Sequence, residues 1–396
     1  MHIGIAGPIS INNIGKILDI EPNELPDGLT STNVPTIIEG LLQLGHHVSV
    51  YTLSKNVKSI KSYYYNNCSI HFGEYRQKHR ARDFFRKEIN AVEEMIKRDP
   101  PEIVHAHWSY EFALGAINTN IPSLVTLRDW APEILRLKPD MYRFIRLLLN
   151  SRVLKKTQFF TANSPYIQKL ASNKLNREVP LIPNPISGNY FAQFKNKSCA
   201  NKRIIAVNNS FCKRKNVCSL LKALPVINAK IPEAELFLIG TGYEQNGVAH
   251  KWVVKQGINT KNIHFFGPVT TSKLIELYDE SSLMVHPSLE ESFGNILIEA
   301  MARKLPVIGG CRSGAVPWVL DYGKAGLLVD VKDPLKIAEG VLKLFSDMKL
   351  WHFYSQAGYD NAYSRFRLGK IIGFYLEEYG RVLKKWKKYE ITIPSQ

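Results

Sequence analysis

The chain has 396 residues, 45% of them hydrophobic and 22% charged, which excludes a disordered or fibrous protein and provides for two to three domains. The cysteines (Cys68, Cys199, Cys212, Cys218 and Cys311) are odd in number with no Cys-x-x-Cys pair, so neither a disulfide framework nor a zinc site is expected and a reducing, cytoplasmic compartment fits. A net charge of +17 predicts attraction to something polyanionic: nucleic acid, an acidic membrane face or phosphorylated substrates.

The first residues, MHIGIAGPISINNIG, lack the basic and apolar regions of a signal peptide, and no run approaches eighteen apolar residues, so a membrane-spanning segment is not expected. Along the chain, HIGIAG reads as a strand, followed by a helix near Val34 to Leu44, the strand HHVSVYTL, a helix near Phe84 to Lys97, and the strands EIVHAH, PSLVTL and QFFTANS. Alternation of this kind implies a parallel sheet covered by helices on both faces. The first strand-to-helix loop, Pro8 to about Thr30, is long enough to suggest a functional segment. Between Pro183 and Asn201 the pattern lapses into Pro, Gly, Asn and Ser. It restarts with RIIAVN, a helix near Val217 to Asn228, ELFLIG, NIHFFG, a helix near Thr271 to Ser281, SLMVHPS, a helix from about Asn295 to Arg303, PVIGG and GLLVD. A second open α/β domain is therefore expected after a linker, with helices alone over Leu335 to Lys388.

Two doubly wound domains in tandem place a cleft between the carboxyl ends of two sets of strands, where such sheets bind ligands. The segment HPSLEESFGNILIEAMARKLPVIGG is the richest in chemistry. Gly294 opens an apolar-periodic helix, so backbone N–H groups from Phe293 through Asn295 to Ile296 are placed to receive an anion such as a diphosphate. Glu291 stands before that helix and Glu299 within its second turn, seven residues intervening. One carboxylate can face a ligand at the helix tip and the other reach hydroxyls along its side; equally, the pair can be a dipole-favoured charge and a surface residue.

The arrangement Pro287, Ser288, Glu291, Phe293, Gly294, Glu299, Ala300, Pro306, Val307, Gly314, Pro317 resembles the donor-binding signature of retaining glycosyltransferases of family 4, which have the GT-B fold. The resemblance extends through HAHW (His105 to Trp108), TLRD (Thr126 to Asp129), Asn163-Ser164, IPNP (Ile182 to Pro185), RKN (Arg214 to Asn216), LIGTG (Leu238 to Gly242) and FFGPV (Phe265 to Val269). It implies two Rossmann-like domains facing a central cleft: an acceptor-side domain over 1–190, joined by a returning C-terminal helix over about 371–396, and a nucleotide-sugar domain over 199–370. It further implies that Glu291 holds hydroxyls of the donor sugar and Glu299 the ribose, that amides at Phe293, Gly294 and Asn295 meet the diphosphate or sugar, and that Lys215 neutralises the diphosphate. His107 would approach the donor sugar and the Gly7 loop a phosphate or the acceptor, which makes Glu291, His107 and Lys215 the implied catalytic set.

Three departures from the family pattern stand out. Asn209 and Ser210 replace its usual Gly-Arg, leaving Arg214 as the second phosphate cation; Trp318 stands where a Glu is common, and Arg128 where a His is common. No two aspartates lie two positions apart, so the Asp-x-Asp metal motif of the other main glycosyltransferase fold is absent and no metal or other cofactor is expected. Gly240-Thr241-Gly242 lacks the third glycine of a dinucleotide fingerprint, since Gln245 stands there. Of His105 and His107, one is expected to face the cleft and the other to be buried.

The expected activity is transfer of a hexosyl-type sugar from a nucleotide diphosphate sugar, with retention, to a lipid-linked or polysaccharide-precursor acceptor in cell-surface polysaccharide biosynthesis. A phosphorylase- or epimerase-like enzyme, or a non-catalytic carbohydrate- or polyanion-binding module, are the alternatives; nucleic acid is not an expected partner. Basic clusters at Arg76 to Lys87, Arg136 to Lys156 and Arg381 to Lys388 suit peripheral contact with an anionic membrane. In the second cluster Met141, Phe144, Ile145 and Leu148 share one helical face with Arg136, Arg143 and Arg146 near the opposite one, as either a core helix or an interfacial one aided by Lys155 and Lys156 would arrange them.

Overall fold

The computed structural model describes residues 1–21, 24–29, 31, 33–192 and 199–392, with side chains described as far as 387. Thr30, most of the linker after Ala192 and the side chain of Lys388 therefore lie outside the described residues. The chain forms two compact units, one of Met1–Pro185 together with the stretch beginning at Leu368, the other of Ile186–Arg367. The first changeover comes ahead of the expected 190 because Ile186 and Tyr190 are buried among the apolar residues of the second unit.

Among the described residues the first unit has seven strands: β1 (His2–Ala6), β2 (His47–Ser54), β3 (Lys61–Tyr65), β4 (Cys68–Glu74), β5 (Ile103–His107), β6 (Ser123–Leu127) and β7 (Phe160–Ala162). Their order is β3-β4-β2-β1-β5-β6-β7, every neighbour parallel except the antiparallel pair β3 and β4. That hairpin has no counterpart among the strands expected from sequence. Tyr65 pairs with Cys68 across Asn66-Asn67, a two-residue turn whose residues tolerate positive φ, while β3 is a half-exposed edge with no apolar run to announce it. The long first loop also contains a helix, Ile11–Leu18, which buries Ile11 and Ile14.

Apolar clusters cover both faces of this sheet. On one, Leu368, Ile371, Ile372, Tyr375, Tyr379 and Val382 of the helix Leu368–Thr392 join Ile3, Ile5, Ile37 and Leu41. Each such aliphatic side chain contributes about 1.5–3 kcal/mol when fully buried. The helix packs on Asn33–Gln43 at Gly40, where a Cβ would stand 2.5 Å from Ile372 Cγ1, so the approach requires glycine.

Among the described residues the second unit has six strands: β8 (Arg203–Val207), β9 (Glu235–Ile239), β10 (Ile263–Gly267), β11 (Leu283–His286), β12 (Val307–Gly310) and β13 (Leu327–Val329). All run parallel in the order β10-β9-β8-β11-β12-β13. The order reverses direction between β8 and β11 here, and between β1 and β5 in the first unit. Loops diverge at such switch points, opening a crevice at the carboxyl ends of the strands.

The helix Met141–Lys156 begins at Asp140, whose carboxylate caps Arg143 N–H at 2.8 Å. Its buried stripe is Ile145, Leu149, Asn150 and Val153. Met141 and Phe144, expected on the same face as Ile145, are instead 71% and 45% exposed. Arg146 has turned inward, its guanidinium 3.5 Å from the centroid of Tyr110 and 3.6 Å from Glu111 Oε2. Among the described residues no helix is long and apolar enough to cross a membrane.

Candidate functional site

The second unit's switch point gathers most of the residues singled out in the sequence. After β8 the chain turns through Asn208 to Asn216, and after β11 through Pro287 to Gly294. The two loops are tied together: Leu289 N–H donates to Arg214 O at 2.8 Å, and Asn216 Nδ2 donates to Pro287 O at 3.1 Å. Between them Lys215 Nζ donates to Glu291 Oε1 at 2.5 Å, with side-chain exposures of 9% and 11%. His286, at the end of β11, places Nε2 3.1 Å from the same oxygen. Burial alone would push the Glu291 carboxyl up, but Lys215, the His286 hydrogen bond and Arg214 together hold it well below the usual carboxylate range. Burial lowers the His286 pKa, so the imidazole is neutral and donates through Nε2–H. Arg214 donates from Nη1 to Glu290 O at 3.1 Å and stands 3.9 Å from Glu291 Oε2.

Backbone geometry holds Glu291 as firmly as its side-chain partners do. Ala315 N–H donates to Glu291 O at 2.9 Å, and a Cβ on Gly314, which has φ +64°, would lie 2.3 Å from that oxygen. Gly294, at φ +93°, starts the helix Asn295–Ala302 without a side-chain cap. Leu297 N–H donates to Gly294 O at 3.0 Å, and the positive end of the helix lies at the same loop as the Lys215–Glu291 pair, a position that favours an anion. The Phe293 side chain faces the interior, packed edge-on against Trp318 and Phe366 with centroids 6.2 and 5.6 Å away, so only its backbone can serve a ligand. Trp318 completes this aromatic cluster, and Arg365 covers its ring at 4.5 Å.

Glu299 lies on the second turn of that helix and is buried, not a surface residue. Its Oε2 accepts from Tyr278 Oη at 3.2 Å, and Tyr190 supplies a second hydrogen bond. Burial pushes its carboxyl up to about 7, only partly offset by the two phenols. The surface-residue reading of Glu299 therefore fails: it is a buried acid among tyrosines, while Glu291 is a buried carboxylate in a charged pair. His286, Tyr190 and Tyr278 were missed in the sequence. His286 alone left a trace, as the last residue of a strand entering the Pro287 motif. Asn208, also missed, follows β8 at the switch point, where neither its Oδ1 nor its Nδ2 has a hydrogen-bond partner among the described residues.

Gly7 and His107 belong to the first unit, at the carboxyl ends of β1 and β5. They adjoin each other: a Cβ on Gly7 would stand 3.2 Å from His107 Cβ. His105 and His107 are both buried with ring centroids 4.1 Å apart, which corrects the expectation that only one faces the site. Residues two apart on a strand share a face. His105 is held by Tyr379 Oη at 2.7 Å and Thr126 Oγ1 at 2.6 Å. His107 Nδ1 accepts from Arg128 at 3.1 Å (Nε) and 2.9 Å (Nη2). Burial pushes both imidazoles well below their ordinary pKa, and Arg128 adds to the effect, so they are neutral. Since Arg128 takes the Nδ1 lone pair, the His107 proton sits on Nε2. Among the described residues no cluster of three His, Cys, Asp or Glu side chains is spaced to hold a metal ion.

A family described as "Glycosyl transferases group 1" matches residues 201–347, and one described as "Glycosyltransferase Family 4" matches residues 31–188. The N-acetyl-alpha-D-glucosaminyl L-malate synthase of Bacillus anthracis is 28% identical over 313 residues, 75% of this chain and 79% of that one. The sucrose-phosphate synthase of Thermosynechococcus elongatus superposes with a TM-score of 0.77 at 17% identity, over 97% of this chain and 100% of the other. Anabaena Alr3699/HepE, solved in complex with UDP-glucose, gives 0.69 at 14% identity over 95% and 99%. The family matches fall one on each unit, the superposed folds run through both, and the chain belongs to the glycosyltransferases of family 4, with the GT-B fold.

Proposed function

We propose that this glycosyltransferase takes a hexosyl group from a nucleoside diphosphate sugar bound by the second unit, with UDP the first nucleotide to test, and passes it to an acceptor bound by the first. The observation that carries this reading is the Lys215–Glu291 pair, buried at the switch point beside an uncapped helix start. As the bond from the anomeric carbon to the diphosphate breaks, negative charge gathers on the leaving oxygen. The Lys215 ammonium, Arg214 and the helix amides meet it in a site of low dielectric, where fixed donors act more strongly than in water. Such a donor set needs no metal to stabilise the leaving group. Glu291 serves sugar hydroxyls and Glu299 the ribose. Retention follows if the acceptor oxygen attacks on the face the diphosphate leaves, its proton passing to the departing phosphate oxygen.

A lipid-linked or polysaccharide-precursor acceptor is favoured by the exposed apolar residues Leu137, Met141 and Phe144 beside Arg136 and Lys138. Apolar side chains flanked by cations suit the face of an anionic leaflet. The test is thermal stabilisation of the purified chain by UDP-, GDP-, ADP- and dTDP-sugars, since a ligand bound only by the native state raises stability by mass action. One nucleotide should stand out, and Lys215→Gln should abolish its effect; no response to any nucleotide sugar overturns the assignment of the donor site.

A further inference from the structure

Arg128 is 7% exposed, and no Asp or Glu stands within ion-pair distance of it among the described residues. Its guanidinium is surrounded by neutral groups: His107 Nδ1 accepts from Nε and Nη2, Asn184 Oδ1 accepts from Nη1 at 2.8 Å, and the Trp108 ring lies 5.8 Å away. Among the described residues the other buried arginine is paired, and so is the half-buried Arg146. Arg303 meets Asp279 at 2.5 Å and Arg146 meets Glu111. A buried charge without a counter-ion is among the costliest features a fold can carry. Burial accordingly depresses the Arg128 pKa, yet a guanidinium so depressed remains charged at neutral pH.

Donor capacity is left over as well as charge. Of five guanidinium N–H groups, three are engaged with His107 and Asn184, which leaves two. The adjoining His107 Nε2, which carries the ring proton, has no hydrogen-bond partner among the described residues. These donors stand at the carboxyl ends of β5 and β6, beside the first unit's switch point, and Gly7 leaves the space next to His107 unfilled. We infer that Arg128 is the anchor for an anionic group of the acceptor, a phosphate or a carboxylate, so that this enzyme selects acidic acceptors. The inference rests on the proposed assignment of the acceptor to the first unit. It gives the replacement of the family's usual histidine by arginine at this position a chemical meaning: a titratable neutral donor gives way to a permanent cation.

The decisive variant is Asn184→Asp, which places a carboxylate where the amide oxygen now accepts from Nη1 at 2.8 Å. It supplies the missing counter-charge from within the chain, so the fold should be at least as stable while the demand for an external anion disappears. The assay is thermal stabilisation by sodium phosphate, L-malate and glucose 6-phosphate, with glycerol as the neutral probe, at ionic strength matched with NaCl and with UDP saturating. At least one anion should stabilise the parent and glycerol should not; the ranking of phosphate against malate tells which acid is preferred. In Asn184→Asp and Arg128→Gln the half-saturating concentration should rise about tenfold or more, the loss of one charged hydrogen bond. In Lys215→Gln, assayed without UDP, the anion response should persist. If UDP stabilises the parent but no anion does, or if Asn184→Asp responds like the parent, the acidic-acceptor inference is wrong while the donor site stands. If UDP itself has no effect, the donor reading fails separately, and the anion titrations without UDP still decide the role of Arg128.

Discussion

Glu299→Gln should make the protein more stable above neutrality and less so in acid relative to the parent. In the folded chain burial lifts this carboxyl from 4.5 to about 7, a preference for the protonated form of about 3 kcal/mol. The sign follows from proton counting. Between the two values the folded state holds a proton that the unfolded chain has released, so stability falls as pH rises. The contribution is fully present below the unfolded pKa and is lost as pH rises through the folded one. Glutamine keeps the shape, accepts from one tyrosine hydroxyl and donates to the other, and has no charge to desolvate. Urea unfolding of parent and variant at pH 5 and pH 8 isolates the group, because every other titration cancels in the difference. That difference should move by about 2–3 kcal/mol in favour of the variant between the two pH values. Nucleotide diphosphate binding should meanwhile weaken about tenfold if Glu299 serves the ribose. A stability difference that stays constant with pH would show that Glu299 is ionised throughout and that Tyr190 and Tyr278 do not bury it.

The Lys215–Glu291 pair gives a second test: Glu291→Ala strands a buried ammonium and should cost about 3–5 kcal/mol in urea unfolding, whereas Lys215→Met with Glu291→Leu should recover most of that stability without recovering transfer. Gly314→Ala, forced to φ +64° with its Cβ 2.3 Å from Glu291 O, should displace that glutamate and lower kcat/KM by about tenfold or more; unchanged kinetics would mean that the loop yields freely. Transfer should survive EDTA, since Lys215 and the helix amides meet the leaving diphosphate; loss of turnover restored by magnesium or manganese would contradict the proposed leaving-group chemistry. Sedimentation with anionic liposomes should drop for Met141→Ser combined with Phe144→Ser, Arg136→Gln and Lys138→Gln, because each cation near a charged leaflet contributes about 1 kcal/mol. Unaltered sedimentation would leave that surface without a membrane role.

Most of the two sheets could be read from β-branched runs of four to eight residues, because a strand buried on both faces must be apolar along its length. The features that escaped are those whose cause lies far off in the chain. The strand Lys61–Tyr65 is an edge, so its tyrosines carry no buried pattern, although Asn66-Asn67 was a turn signal. In Met141–Lys156 the apolar residues outnumber the space beneath the helix, and periodicity alone could not tell that Ile145 and Leu149 go in while Met141 and Phe144 stay out. Glu291 and Glu299 stood out by spacing and resemblance. The side chains they bond to, Lys215 and His286 for one and Tyr190 and Tyr278 for the other, and the burial that raises the Glu299 carboxyl, are assembled by the fold. The same holds for Arg128: the sequence shows a cation in an unusual place, and only the structure shows it among neutral neighbours.

The helix that closes the first unit, running from Leu368, has a consequence for biosynthesis. The second unit is one uninterrupted stretch, Ile186–Arg367, and has all its parts once that stretch has been made. The first is not. His105 and Tyr379 share a hydrogen bond across 274 positions, and the cluster that holds Val34, Ile37, Ile38 and Leu41 is incomplete until Ile371, Ile372 and Tyr375 exist. With roughly 200 residues still to come when Pro185 is added, at 5–20 residues per second, that apolar face waits about 10 to 40 s on the ribosome. Contacts so distant in sequence also close slowly. The later-encoded unit thus matures first, and the nascent amino-terminal half is the stage of this enzyme's life most exposed to aggregation and most dependent on chaperones.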